Sequence, residues 1–141
     1  MDHVVYLDAK AKEMEKLLGG KKTMIIRGAA GRKMPYGKVN VGDVLYFINN
    51  NAEGLIKANA SVKSVFNSEK MSKVESSKFL VGFQDKLQLT KTQFNRWAGK
   101  RYIVLIEVDE VESVEPFPID KSDYGNMDDW LPVENIESIK E

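Results

Sequence analysis

The sequence contains no cysteine and one histidine. Without thiols there is no disulfide framework and no thiolate nucleophile, and a zinc site loses its commonest ligands. His3 stands at the mouth of the chain in a β-prone run. A catalytic histidine needs a further group to orient its ring, so a strand-end role is the simpler reading. No apolar run reaches membrane-spanning length, and the start lacks the basic and apolar regions of a secretory signal. A soluble, cytoplasmic protein without membrane association is the expectation. Walker-type and dinucleotide glycine motifs are also missing, since Gly28-x-x-Gly31 alone is too little. No cofactor and no metal are implied.

What is present is ordinary in bulk and uneven in placement. The 141 residues are 43% apolar and 30% charged, which suits one folded domain spanning residues 1–141. Net charge is zero. Yet the run from Lys21 to Gly42 holds six cations (Lys21, Lys22, Arg27, Arg32, Lys33, Lys38) and no acidic residue, whereas residues 107–141 carry twelve acidic side chains against two lysines. Either the acidic segment, residues 120–141, packs back on the basic body, or the two poles face different partners. The stretch from Asp120 to Asp129 is acid-rich but lacks EF-hand ligand spacing, so it reads as solvated or self-docking rather than calcium-binding.

Periodicity gives the elements. Residues 3–7 read as a strand, and Asp8 as the cap of a helix bearing Ala11, Met14, Leu17 and Leu18 on one face, closed by Gly19 and Gly20. Thr23–Ile26 is the next strand, with Arg27 its last residue, followed by a loop over 28–40 with three glycines and Pro35. Val44–Ile48 is apolar on both faces, as a central strand is. Residues 55–66 alternate, with Ile56, Ala58, Ala60, Val62 and Phe66 sharing a face. A helix from Ser76 or Ser77 carries Phe79, Leu80, Phe83 and Leu87. Thr90-x-x-Gln93 is a capping box opening a short helix with Phe94 and Trp97. Residues 101–109 form a strand, a polar turn follows, and Val114–Ile119 is an extended edge segment where proline is tolerated. Trp130-Leu131-Pro132 and the residues to Ile139 suggest a packed end. Six strands with three or four helices and mostly antiparallel connections make an α+β domain, a small barrel with helices at its rim.

Gly20-x-Lys22-x-x-Ile25-x-Arg27 resembles the GxKxxExR signature of ASCH domains, small β-barrels related to the PUA-like RNA-binding fold. Val41-Gly42-Asp43-Val44-Leu45-Tyr46-Phe47 resembles the strand that follows it in that family. The Thr90-x-x-Gln93-Phe94-x-x-Trp97 and Pro116-Phe117-Pro118-Ile119 layout is similar to the second half of such proteins. The likeness covers roughly residues 3–120 and departs at Ile25, where the family has an acidic residue. It implies an RNA- or nucleotide-binding module of the PUA-like type. The basic run supplies phosphate contacts from Lys21, Lys22, Arg27, Arg32 and Lys33, and Tyr36 is the base-stacking aromatic. Trp97, sharing a helical face with Phe94, reads as core. Trp130 fits either core or stacking.

Some proteins resembling ASCH domains are amidohydrolases of modified cytidine that use a lysine, a threonine and a glutamate. The lysine falls on Lys22, but the threonine position is Ile25, which has no hydroxyl. Strand alternation turns Thr23 away from Lys22, so that hydrolysis is not expected. Two alternatives stay open. One is a nucleoside hydrolase using Lys22 with Asp43 or Glu75, and the other is a protein-interaction module joining the basic body to the acidic end.

Overall fold

The structure is a computed structural model that describes residues 1–124 and 129–141. Its strands are β1 (Asp2–Leu7), β2 (Met24–Ala29), β3 (Val44–Asn49), β4 (Leu55–Asn67), β5 (Tyr102–Pro118) and β6 (Trp130–Glu134). Its α-helices are α1 (Glu13–Leu18), α2 (Lys73–Val81), α3 (Gln84–Leu87) and α4 (Lys91–Trp97). The strands form one sheet in the order β2-β5-β4-β3-β1-β6. β1 and β3 run parallel, and the other neighbours are antiparallel. The result is a mixed α+β half-barrel.

Alternation along the strands splits the apolar residues between two faces. Ile25 of β2 and Val104, Ile106 and Val108 of β5 point into the barrel with Leu45, Phe47 and Met14. Met24, Ile26, Ile103 and Leu105 point outward, where Leu80, Leu87, Leu89 and Trp97 from the helical segment cover them. This is why β2 and β5 are apolar on both sides. At the far edge β6 lies antiparallel to β1, and Leu131 and Val133 join Val4, Ile48 and Ile56 in a third cluster. Pro132 is tolerated there because β6 is an edge strand.

Several elements differ from the sequence expectations. The first helix begins at Glu13, not directly after Asp8. Asp8 instead accepts from the Ala11 amide at 3.1 Å, and its own amide donates to Glu13 Oε1 at 2.8 Å, holding a turn ahead of the helix. Leu18 is 40% exposed and leaves the buried face. Gly20, not Gly19, takes the left-handed conformation, at φ 79°. β2 runs two residues beyond Arg27. Phe66 is 46% exposed, because a register shift between Val62 and Ser64 turns it outward onto Phe79. α2 starts at Lys73, where Ser72 and Glu75 form a second capping box. The expected polar turn after residue 109 is absent: β5 continues to Pro118, and its pairing with β4 takes up three register shifts. Asp109, Glu110, Glu112 and Glu115 in that stretch face solvent.

Among the described residues no helix is long and apolar enough to cross a membrane. No group of acidic or histidine side chains among them is arranged to hold a metal ion. Gly125 to Asp128 of the acid-rich stretch lie outside the described residues.

Candidate functional site

Strand alternation puts Arg27, opposite Val104, on the same inner face of β2 as Ile25, at the barrel's open end. There the sheet has curled far enough for Arg27 to cross to β1. One terminal nitrogen donates to the Tyr6 carbonyl at 2.6 Å and the other to the Ile26 carbonyl at 2.8 Å. Its Nε lies 3.2 Å from Asp129 Oδ2, and its guanidinium sits 5.5 Å from the centre of the Trp130 ring. Arg27 is 7% exposed. It therefore acts as a clasp between edge strand β2 and the β1–β6 side, and two of its nitrogens are already committed. This corrects the expectation of a phosphate-facing arginine at that position.

Beside the clasp opens a cleft of about 290 Å³. Lys33 from the 30–43 loop, Arg96 from α4 and Lys100 from the α4–β5 turn give it a cationic rim. Tyr36, Trp97, Tyr102 and Trp130 contribute to its walls, and Asp129 is the one acidic residue lining it among those described. Gly28 lines it too, and a Cβ there would be crowded, lying 3.0 Å from Ile103 Cδ1 and 3.1 Å from Lys100 Cβ. A smaller cavity of about 110 Å³ adjoins it and shares Arg27, Arg96, Trp97 and Asp129.

Arg27, Lys33 and Tyr36 of the expected set therefore line one cleft. Arg32 stands over it, 5.6 Å from both the Tyr36 and the Tyr102 ring centres. The Tyr36 hydroxyl donates to the Ser68 carbonyl at 2.6 Å, and the ring meets Tyr102 edge-on at 5.7 Å. Lys21 is exposed and does not line the cleft. Lys22 is 1% exposed, bonded to the Leu87 carbonyl and paired with Glu13 at 3.4 Å. Burial lowers its pKa below the ordinary lysine value, against the opposing pull of Glu13. A cation so enclosed is a structural pair, not a surface contact.

The alternative catalytic set is not brought together. Lys22 sits under α1, and among the described residues it shares no ion pair or hydrogen bond with Asp43 or Glu75. Asp43 accepts from His3 Nε2 at 2.8 Å and from the Asn40 amide at 3.0 Å. Burial works to raise the Asp43 pKa, but the Asn40 and His3 bonds and the nearby N-terminal ammonium outweigh it and hold the carboxyl below its ordinary value. Glu75 is exposed, and the Ser72 bonds of the α2 capping box depress its pKa.

Both tryptophans pack. Trp97 is 8% and Trp130 1% exposed, yet each shows an edge to the cleft. Trp130 Nε1 donates to His3 Nδ1 at 3.1 Å. Indole nitrogen only donates, so His3 accepts at Nδ1 and carries its proton on Nε2 toward Asp43. The histidine is a buried structural link in β1. Arg96, Lys100, Tyr102 and Asp129 are not among the expected site residues. The cations between 96 and 101 are visible as a cluster in the sequence, but only the fold sets them across from the 30–43 loop.

No family model and no curated protein matches this sequence. Solved structures do. The crystal structure of an ASCH protein from Zymomonas mobilis aligns with a TM-score of 0.65 at 14% identity, over 94% of this chain and 89% of that one. A point mutant of the same protein aligns with a TM-score of 0.69 at 12% identity, over 97% and 93%. The chain has the ASCH fold. The N-terminal domain of McrB from Staphylothermus marinus is also similar, with a TM-score of 0.53 at 13% identity, over 97% and 93%. At such identities the likeness concerns the backbone. What an ASCH fold carries in its cleft depends on side chains, and here those are the cations and aromatic rings described above.

Proposed function

We propose that this ASCH-type fold is an RNA- or nucleotide-binding module. Its cleft takes phosphates at the cationic rim and a base among the aromatic walls. The observation that carries this reading is the convergence of Lys33, Arg96 and Lys100 on one concave site walled by Tyr36, Trp97 and Tyr102. Scattered cations are an ordinary surface. Cations around a concavity with aromatic rings match a ligand that is anionic at one end and flat at the other. The Arg32 guanidinium, lying over the Tyr36 and Tyr102 rings, occupies a place that a base can take by displacing it. Lys21 and Lys22 drop out of the contact set on position, and Arg27 shapes the floor.

The test is a titration of short single-stranded RNA at two salt concentrations, with single-stranded DNA of the same sequence alongside and tryptophan fluorescence as the signal. Binding that exceeds DNA and weakens steeply with salt supports the reading, and absence of binding at low salt overturns it. Lys33→Ala and Lys100→Ala should each weaken binding and reduce the slope of log K against log salt by about 0.7. Lys21→Ala should change neither beyond the small effect of a distant charge.

A further inference from the structure

The cleft wall that β6 supplies hangs on the protein's one histidine. Trp130 lines the cleft, and its indole nitrogen donates to His3 Nδ1 at 3.1 Å. The two rings meet at 62°, with centres 5.9 Å apart. On its other side His3 gives its Nε2 proton to Asp43 Oδ2 at 2.8 Å. His3 is fully buried and Trp130 is 1% exposed, so bulk water replaces neither bond.

This relay works in one protonation state. An indole nitrogen only donates, and Nδ1 accepts only while the imidazole is neutral. An added proton goes to Nδ1, the one ring nitrogen without a hydrogen. Two buried N–H groups then point at each other, and each has lost its partner, which disfavours the packed indole. Toward Asp43 nothing is lost, because Nε2 carries a hydrogen in both forms and the added charge meets a carboxylate. The charged groups that face the pair, among the described residues, come from three sides. Asp43 precedes β3, and its other oxygen lies 3.5 Å from the N-terminal amino group. Arg27 of β2 stands 5.5 Å from the Trp130 ring centre and is paired with Asp129 at 3.2 Å. The strand neighbours of His3 in register, Leu45 of β3 and Pro132 of β6, are uncharged.

We infer that protonation of His3 releases Trp130 from the cleft wall, so that acid weakens ligand binding at this site. The inference concerns regulation of the site proposed above and takes its ligand from that reading. Histidine is the side chain whose ordinary titration falls between about pH 5 and 8. Linkage acts in both directions: a ligand that needs Trp130 in place favours the neutral imidazole.

The experiment titrates oligouridine without a terminal phosphate into the full chain at about pH 7.5 and about pH 5.5, on either side of the ordinary histidine range. Neither the bases nor the internal phosphodiesters of this ligand change charge between the two. Affinity should fall about ten-fold at the lower pH, the scale of a buried donor left unpaired. In His3→Gln the side-chain amide offers Trp130 an acceptor and Asp43 a donor but cannot titrate. Its affinity should change less than about two-fold, well under the effect of an unpaired donor. Equal affinity at the two pH values in the unaltered protein overturns the inference, and so does a fall of the same size in His3→Gln. A second measurement needs neither ligand nor variant. Nuclear magnetic resonance of the unaltered protein follows the imidazole and the two indole N–H signals over the same range. One indole signal should move together with the imidazole while the Trp97 indole stays in place. An imidazole that takes up its proton with both indoles unmoved overturns the inference, as does one that stays neutral to the lower pH. Absence of oligouridine binding at either pH removes the nucleic-acid reading, and the paired movement of imidazole and indole then still decides whether His3 releases Trp130.

Discussion

Lys22 shows how far one residue can depart from its appearance in sequence. It reads as a surface cation in a basic run, and the structure encloses it with Glu13 and the Leu87 carbonyl. Nothing local announces this, because the burial comes from α1 and from the α3 terminus folding over the entry to β2. Removing one member of a buried pair strands the other, so Lys22→Ala should cost about 3–5 kcal/mol in urea unfolding. The double variant Lys22→Met with Glu13→Gln should recover most of that, since the side-chain amide introduced with the second change keeps an acceptor for the Asp8 backbone N–H. The pair also has a pH signature. Between its lowered folded pKa and the ordinary 10.5, the unfolded chain holds a proton that the folded one has lost, so the Lys22 contribution to stability rises with pH. Subtracting the stability curve of Lys22→Met from that of the unaltered protein should reveal this rise at alkaline pH. A flat difference curve would contradict the enclosed lysine.

At the scale of elements, the parts with local chemistry are readable in the sequence and the parts set by partners are not. Thr90 and Gln93 announce the α4 start because a capping box is complete within four residues. The same box at Ser72 and Glu75 escapes notice because the apolar residues that suggest the helix begin further along, at Phe79. The long β5 reads as two pieces divided at its charged middle, since its continuity comes from pairing with β4 and not from its own pattern. Gly28 belongs to the same class: β2 has to pass close beneath Lys100 and Ile103, which no sequence pattern reveals. Gly28→Ala should cost about 1–3 kcal/mol through overpacking and narrow the cleft floor. Gly31→Ala, where nothing lies within 4 Å of a new Cβ, should be near neutral by the same urea measurement. Equal costs at the two positions would remove the close approach as the cause.

For the molecule as a whole, the ASCH-type half-barrel and the segregation of charge are legible in the sequence, but the junction between the two is not. The sheet leaves β2 and β6 as edges, and Arg27 spans the gap to Tyr6 and Asp129. Arg27→Met keeps a long apolar stem while deleting the clasp. It should lower stability by about 1–3 kcal/mol, the cost of leaving the Tyr6 and Ile26 carbonyls without their donor, and it should speed amide exchange in β2 more than in the central β3 and β4. Uniform exchange across the sheet would mean the clasp holds nothing closed. The pairing of β1 with β6 has another consequence, which concerns the order in which a ribosome delivers the chain. Trp130 meets His3 across 127 residues of sequence, and Asp129 reaches Arg27 only when that same late segment has emerged. A nascent chain therefore carries its basic loop and its open barrel mouth long before the residues that complete the cleft exist. The cleft wall is complete only once Asp129 and Trp130 have joined it, so the cavity takes its final form after the other five strands have been made.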